Sequence, residues 1–363
     1  MIKKIILITI ILSCLLSACS DDNSGNPKVE LDKKALLTNY ADNLIIPAFE
    51  DLYQKSNTLS EKFTDIKSEY SEIKFNELRQ AFSLLRGSWQ FCSAYGFGPA
   101  EEVVLRQALN TFPTDTVRIK SNIASGTYSL VTSANFKAKG FPALDYMLYG
   151  GDGLSQELAF KDAKFMQYLE DVINDIKTNI DYVRNGWQSY RDEFVSKTGN
   201  DAGSSLSLFI NEFVKDYELA KRAKVGFPLG ISLSDILPFH TEAPYSLSSL
   251  ALLNANLHAY KNILLGPAKN DITKTDNLYE YLRELSATRG DALLADLLVD
   301  ELDESITLLN HLEKPLRLSL EIPAEKVKVE ALYKNLQEYV VLLKTDMVSA
   351  MGILINYQDN DGD

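Results

Sequence analysis

Apolar residues recur along most of this chain at the spacing of an α-helix, and strict alternation of apolar and polar residues is scarce. The first such segment runs from Leu36 to Leu59, where Pro47 is expected to kink the helix. The second runs from Phe75 to Tyr95 and places Cys92 on its apolar face. Further segments show the same period: Phe160–Val195, Leu206–Ala223, Ser246–Leu264, Asn277–His311 and Glu325–Met351. The pattern predicts an all-α protein built from antiparallel bundles, with a flexible connector at Gly199–Ser205.

The N-terminal residues are typical of a secretion signal. Two lysines precede an apolar run from Ile5 to Leu12, which is too short to span a bilayer comfortably. Leu16-Ser17-Ala18-Cys19 then has the form of a lipobox, in which the cysteine is acylated and becomes the mature N-terminus. We therefore predict a signal peptide at residues 1–18 and a lipid anchor at Cys19. Cleavage without lipidation is the alternative, and it would leave Cys19 as an unpaired thiol.

The residues after Cys19 bear on the destination of the anchored protein. Ser20-Asp21-Asp22-Asn23 resembles the acidic signal by which lipoproteins of Bacteroidetes reach the outer face of the outer membrane. A solvated polar linker over residues 19–32 is the simpler interpretation of this stretch. The expectation is an outer-membrane lipoprotein, displayed on the cell surface if the acidic signal acts.

Composition narrows the classes of partner. The formal charge is −13 for 363 residues, which argues against nucleic acid and anionic lipid as ligands. Of the three cysteines, Cys14 leaves with the signal and Cys19 carries lipid, so Cys92 alone remains in the folded part. No intramolecular disulfide is then expected, and core burial must stabilise a chain that is long enough for two domains.

Residues 140–150 (Gly-Phe-Pro-Ala-Leu-Asp-Tyr-Met-Leu-Tyr-Gly) hold an incomplete chemical motif. Pro142 is expected to open a short helix, with Asp145 one turn later. A histidine and a carboxylate at this i, i+3 spacing would share a helical face and could hold a metal. This chain has the carboxylate and no imidazole. An ordinary short helix is the alternative, because proline and aspartate both favour the first turn.

The same stretch resembles the Gly-x-His-x-x-Glu signature of the imelysin family, with Gly140 retained, Pro142 in place of the His and Asp145 in place of the Glu. Other segments resemble the family in the same order along the chain: Asn39–Asp42 with Ile46–Ala48, Trp89 with Phe97–Glu101, Val225–Gly230, Glu242–Ser246, Asn254–Leu257 and Asn356–Asp363. The resemblance implies two packed helical bundles, which we place at residues 33–155 and 156–363, with the site between them. It also implies a bacterial periplasmic or surface-anchored protein connected with iron uptake.

The histidines do not form a peptidase signature. A zincin needs two His four residues apart with a Glu between them, whereas the three histidines here are His240, His258 and His311. The last two are expected to be structural or solvated. His240 lies two positions before Glu242 and could supply a replacement ligand. The sequence contains no Gly-x-Ser-x-Gly elbow, phosphate-binding loop or paired-cysteine motif.

We predict a non-catalytic binding protein with a polar cleft, and with neither a cofactor nor a metal. A small molecule or an iron complex would be oriented by Asp145, Glu242, Tyr245 and Ser246, with His240 nearby. The expected partners are the membrane, through Cys19, and an outer-membrane transporter, and nucleic acid is excluded. Two alternatives stay open: a metallopeptidase of the imelysin type in which His240 replaces the missing ligand, and a scaffold in an outer-membrane assembly.

Overall fold

Helices make up nearly all the regular structure in the computed structural model, which describes residues 32–150, 156–231, 233, 235–266 and 276–357. The predicted signal peptide at 1–18, Cys19, the acidic stretch after it and the chain end from residue 358 lie outside the described residues. The all-α prediction is confirmed. In the described part, no helix is both long and apolar enough to cross a membrane.

In chain order the α-helices are α1 (Lys33–Tyr40), α2 (Ile46–Ser68), α3 (Glu72–Trp89), α4 (Pro99–Glu102), α5 (Leu105–Leu109), α6 (Thr116–Ser125), α7 (Gly140–Tyr149), α8 (Gln156–Ala159), α9 (Ala163–Ser196), α10 (Ser205–Leu219), α11 (Phe227–Leu229), α12 (Ser249–Leu265), α13 (Leu278–Glu284), α14 (Leu294–Asn310), α15 (Leu316–Ser319), α16 (Pro323–Val341) and α17 (Val348–Ala350). π-Helical turns lie at Ala41–Ile45, Ala220–Gly226 and Leu342–Met347, and 3-10 turns at Ser133–Ala138 and Pro238–His240. The short strands β1 (Thr288–Arg289) and β2 (Ala292–Leu293) pair antiparallel.

Helix α9, of 34 residues, follows the apolar period closely. It begins after Asp162, whose carboxylate accepts the N–H groups of Lys164 and Phe165 and so satisfies donors of the first turn. One face carries fully buried side chains: Tyr168, Val172, Ile176, Ile180, Val183 and Trp187. This face packs against α2 and α7, so the predicted stripe is the buried one.

The first predicted helix, Leu36 to Leu59, extends further than its apolar pattern indicated. α1, the π turn Ala41–Ile45 and α2 follow one another without a break as far as Ser68. The π turn ends at Ile45, two residues before Pro47, which has no N–H to donate to the preceding turn. A wider turn of this kind gives the proline ring room without ending the helix.

The prediction of one helix from Asn277 to His311 is wrong. α13 and α14 are separate helices, and the two strands form a hairpin between them. The strands meet through the Gly290-Asp291 loop, where Gly290 has a φ of +63°. A glycine followed by an aspartate is a strong hairpin signal, and here it outweighs the helical period of the flanking residues.

Aromatic side chains join the two halves of the chain in a shared core. The ring of Phe97 lies between those of Phe194 on α9 and Phe209 on α10, with centroids 5.5 and 6.3 Å away. Trp187 is fully buried and lies 6.4 Å from the ring of Phe49 on α2. The position of each half is therefore fixed by rings from the other.

The helices pack in two groups. In one, α2 packs against α3 and α9; in the other, α14 packs against α16 and α12. Within the second group, the ring of Tyr217 on α10 contacts Tyr260 at 5.2 Å and Tyr339 at 4.6 Å. The division at residues 33–155 and 156–363 stays a prediction, and α9, which follows that boundary, packs mainly on helices that precede it.

Candidate functional site

Helix α3 places polar side chains on a buried face. The helix ends at Trp89, before the predicted end at Tyr95, and Cys92 lies in the turn that follows; both Trp89 and Cys92 are buried. Arg86 and Gln90 lie on the same side at i, i+4 spacing, and each is only 1% exposed. Burial raises the pKa of the unpaired Cys92 thiol well above its usual range, so the thiol stays protonated and unreactive. Arg86 and Gln90 are therefore the side chains of this face that can form polar contacts.

Helix α7 carries the incomplete motif and begins at Gly140, two residues before the start predicted at Pro142. Gly140 has a φ of +69°, and a Cβ added there would lie 2.3 Å from the carbonyl oxygen of Leu109 at the end of α5. Glycine alone accepts both this conformation and this close approach. Pro142 is buried in the first turn, where no N–H is needed.

Asp145, in the next turn of α7, is fully buried, and both of its carboxylate oxygens accept hydrogen bonds. Its Oδ1 accepts from Arg86 Nη1 at 2.7 Å and from the backbone N–H of Ser246 at 3.3 Å. Its Oδ2 accepts from the backbone N–H of Tyr245 at 2.9 Å. A carboxylate at 0% exposure is stable only if its charge is paired and its oxygens are satisfied, and both conditions are met here.

Arg86 extends this contact to the loop before α12. Its Nη2 donates to the hydroxyl oxygens of Ser246 and Ser248 at 2.9 and 2.5 Å, and its guanidinium lies over the ring of Phe82 at 4.6 Å. Together with Asp145, this one side chain holds α3, α7 and the 245–248 loop in fixed relation.

A second polar cluster surrounds Glu242, which is 1% exposed. Its Oε1 accepts from the amide nitrogens of Asn110 at 2.7 Å and Gln90 at 3.0 Å. Its Oε2 lies 3.1 Å from the ammonium group of Lys224. Lys224 belongs to the π turn Ala220–Gly226 and is itself 7% exposed. The extra residue of a π turn changes the direction of the side chains that follow, and such turns are frequent at functional sites.

A third cluster is centred on Asp216 of α10, which is 5% exposed. Its Oδ2 accepts from Ser93 at 2.7 Å and Tyr260 at 2.9 Å, while its Oδ1 lies 3.1 Å from Arg106 Nη2. Burial and the adjacent Asp216 carboxylate raise the pKa of Tyr260 well above its usual range, so its hydroxyl remains a donor. Asn256 donates to Ser93 at 3.3 Å and ties α12 into the same cluster.

A cavity of about 210 Å³ lies between the second and third clusters. Its wall combines charged and polar side chains with apolar ones, among them Arg106, Asn110, Lys224, Trp89, Phe112 and Ala223. Several buried polar atoms here lack a hydrogen-bond partner within the described residues, namely Arg106 Nε, Asn110 Oδ1 and Glu242 Oε2. For Glu242 Oε2 the nearby Lys224 supplies the compensating charge, so the first two atoms are the ones still to be satisfied.

The histidines lie apart from these clusters. His240 is half-buried in the 3-10 turn Pro238–His240, and its burial and the charge of Lys137 lower the pKa of its ring. The donors to Asp145 and Glu242 are all accounted for by other groups. His258 and His311 are exposed. Among the described residues, no group of three His, Cys, Asp or Glu side chains is placed to hold a metal ion.

Comparison with known proteins identifies the family of this chain. The sequence profile of the imelysin family matches residues 45–343. The chain belongs to the imelysin family. Iron-regulated protein A of Synechococcus elongatus is 21% identical, with 82% of each chain covered. Two crystal structures share the imelysin fold. One is assigned to an iron-regulated protein A precursor of Parabacteroides distasonis (TM-score 0.73, 18% identity, 90% of this chain and 97% of that one). The other is of an imelysin-like protein from Psychrobacter arcticum (TM-score 0.70, 22% identity, with the same coverage).

The imelysin resemblance is thus confirmed, while the predicted roles of the site residues stay predictions. The structure brings Asp145 together with Tyr245 and Ser246, and Glu242 joins a neighbouring cluster through Gln90. His240 is not among them. Sequence reasoning missed Arg86, Gln90, Asn110, Arg106, Asp216 and Lys224. A signal existed for the first two, because they interrupt the apolar stripe of α3 with polar side chains.

Removing either partner of the buried Arg86–Asp145 pair should destabilise the fold. Arg86→Met and Asp145→Asn are each expected to lower the free energy of unfolding by about 3–5 kcal/mol, since each leaves a buried partner uncompensated. The double variant should lose clearly less than the sum, because neither charge remains. Urea unfolding of the four proteins measures this coupling. Strictly additive losses would show that the two side chains do not act as a pair.

Two glycines provide a matched test of backbone constraint. Gly140→Ala should lower the free energy of unfolding by about 2 kcal/mol or more, because it combines a left-handed conformation with a backbone clash. Gly87→Ala, inside α3 with nothing within 4 Å of the added Cβ, should be neutral or stabilising by about 0.5–1 kcal/mol. Thermal and urea unfolding compare them, and equal effects at the two positions would count against the close approach of α7 to α5.

Proposed function

We propose that this imelysin-family protein is a non-catalytic binding protein of iron acquisition, which holds a small molecule or small iron complex in the cavity beside Glu242. Relatives named iron-regulated protein A support the connection with iron. The cavity supports a binding role, because it combines apolar walls with a few polar groups, as small-molecule sites do.

The ion pair of Asp145 with Arg86 carries the non-catalytic part of this proposal. A metal ion would have to displace Arg86 from this carboxylate, because Arg86 and two backbone N–H groups already donate to its two oxygens. Pro142 offers no side-chain donor atom. The guanidinium of Arg86 supplies the positive charge that a metal ion would otherwise provide to this carboxylate.

The metallopeptidase alternative draws less support from the geometry. It needs His240 beside the motif carboxylate, whereas the donors to Asp145 come from Arg86 and the 245–246 backbone. A pure scaffold would have no use for a cavity that is lined by charged and polar side chains together with aromatic ones.

Elemental analysis and thermal unfolding test the proposal together. Protein purified without chelators should contain no stoichiometric zinc or iron and should not hydrolyse peptides. Addition of a small iron complex, such as ferric citrate, should raise the melting temperature, since saturation at a hundred times Kd stabilises by about 2.7 kcal/mol. The variant Ala223→Leu, which fills the cavity, is the control and should show no shift. A tightly held metal whose removal abolishes hydrolysis, or a panel of small iron complexes without any shift, contradicts the proposal.

We also propose that Cys19 anchors the protein to the outer membrane, from where it would pass its ligand to a transporter. The sequence at residues 1–22 supports this placement. Cys19→Ser should abolish incorporation of labelled palmitate and release the protein from the membrane fraction, because no lipid can be attached. Cys92→Ser, at a buried thiol, should leave labelling unchanged. Labelled palmitate on the Cys19 variant would refute the anchor.

A further inference from the structure

A groove with acidic walls lies along α9 and shares no lining residue with the cavity beside Glu242. It is formed by Pro99 and Glu102 of α4 and by one face of α9 from Thr178 to Glu193, and we call it the α9 groove. Its volume of about 670 Å³ falls within the roughly 300–1,000 Å³ of small-molecule pockets. The groove is therefore large enough for a ligand of its own.

The charges on the wall of the α9 groove are all negative. Carboxylates line it at Glu102, Asp181 and Glu193, and no Lys or Arg is among the described residues that line it. Glu102 accepts from the hydroxyl of Tyr182, and Asp181 accepts from the amide nitrogen of Asn185 at 3.1 Å. Both donors are neutral, so these contacts do not balance the charge of the two carboxylates.

The cations near the groove are engaged elsewhere or on its far end. Arg184 donates to Glu50 at 2.7 Å and contacts the groove through the side-chain oxygen of Asn185, at 2.9 Å. Lys197 pairs with Glu193 at 2.6 Å on the exposed surface. The two other cations of this stretch are Lys177, which lies over the ring of Tyr53, and Arg191, which donates to Asp42. The groove therefore keeps a net negative charge, which favours a cationic ligand.

The carboxylates are spread along the groove and do not surround one point. Asp181 and Glu193 lie more than three turns apart on α9, which corresponds to about 18 Å along the helix axis. No three His, Cys, Asp or Glu side chains in the described part of the chain are placed to hold a metal ion. A compact inorganic cation can thus pair with one carboxylate at a time, whereas a long ligand with several positive charges reaches them together.

Apolar surface separates the carboxylates. The side chain of Tyr182 is 48% exposed, and its bond to Glu102 holds the ring at the groove wall. Pro99 and Tyr190 continue this surface, and α4 lies so close to α9 that a Cβ added at Gly186 would be 2.6 Å from Pro99. Methylene chains pack on such a surface, and aromatic rings attract ammonium groups.

The hydrogen-bonding groups of the groove favour a ligand with donors alone. Carboxylates only accept, while the hydroxyl of Ser189 already donates to the carbonyl oxygen of Gly186 and that of Tyr182 to Glu102. A basic peptide would bring one backbone carbonyl per residue, and the groove has few donors to offer it. Ammonium groups joined by methylene chains bring no acceptor.

We infer that the α9 groove binds a linear polyamine. Its ammonium groups pair with Glu102, Asp181 and Glu193, and its methylene segments lie on Tyr182 and Pro99. This site goes beyond the proposed function. Since the groove and the cavity beside Glu242 have no lining residue in common, either can fail its test while the other stands.

Calorimetric titration of the purified chain at low salt with putrescine, spermidine and spermine tests the ligand class. Affinity should rise about tenfold from the diamine to the tetraamine, because each added ammonium group gains an exposed ion pair, and it should fall as salt is added. Mg²⁺ is the compact control and should not displace spermine at the concentration at which putrescine does. Absence of saturable binding by every amine, or equal displacement by Mg²⁺, would overturn the inference. Tighter binding of tetralysine than of spermine would assign the groove to a basic protein segment and would also overturn it.

Variants at exposed positions locate the site. Asp181→Asn and Glu102→Gln should each weaken spermine binding about threefold, whereas Glu61→Gln, exposed on α2 and outside the groove, removes the same charge and should not.

A bulky side chain gives a second, steric test of the location. Ser189→Phe fills the groove and should abolish binding, whereas Gln188→Phe, on the same turn and not in the groove wall, should leave it unchanged. Thermal unfolding of the unliganded proteins shows that each variant is folded. The same affinity in folded Ser189→Phe and Gln188→Phe would place the amine elsewhere on the acidic surface and refute the site.

Discussion

The buried ion pair of Arg86 and Asp145 is the constraint on which the site depends. Removing two charges from water is costly, and the attraction between them offsets that cost only when the geometry is good and the remaining polar atoms are satisfied. Here Ser246, Ser248 and two backbone N–H groups provide most of those bonds, and only Arg86 Nε has no acceptor among the described residues. Such a pair adds little net stability. It specifies instead how α3, α7 and the loop before α12 must lie, since any other arrangement leaves a charge buried alone.

That fixed frame positions the second cluster and the cavity beside it. Gln90 follows Arg86 by one turn of the chain and donates to Glu242, while Lys224 reaches the same carboxylate from a π turn. Glu242 is therefore held from both halves of the chain, as Asp145 is. The surroundings of these two carboxylates differ. Both oxygens of Asp145 have donors, whereas Glu242 Oε2 has only the ammonium group of Lys224 nearby, and the cavity next to Lys224 leaves space for a ligand.

The helical period was sufficient to predict the fold class and most long helices, because burial of an apolar stripe is a local property of the sequence. α9 shows this directly, since each residue of its predicted stripe is buried. Asn277–His311 is not one helix, because the Gly290-Asp291 turn forms a hairpin between two segments that each keep the helical period. The site was harder to predict. Arg86 and Asp145 are 59 residues apart, and Lys224 faces the interior only because of a π turn, which no apolar period reveals.

A sequence signature can reflect packing and charge balance as well as metal binding, and the incomplete motif separates these two requirements. Gly140 is needed because α7 meets the end of α5 with no space for a side chain, and Asp145 is needed because Arg86 is buried opposite it. Neither requirement involves a metal, so both residue types can persist when the histidine position holds proline. The presence of Gly140 and Asp145 is therefore explained by packing and charge balance. Binding is better sought at the cavity between Arg106, Asn110 and Lys224, where charged and polar side chains line an open space.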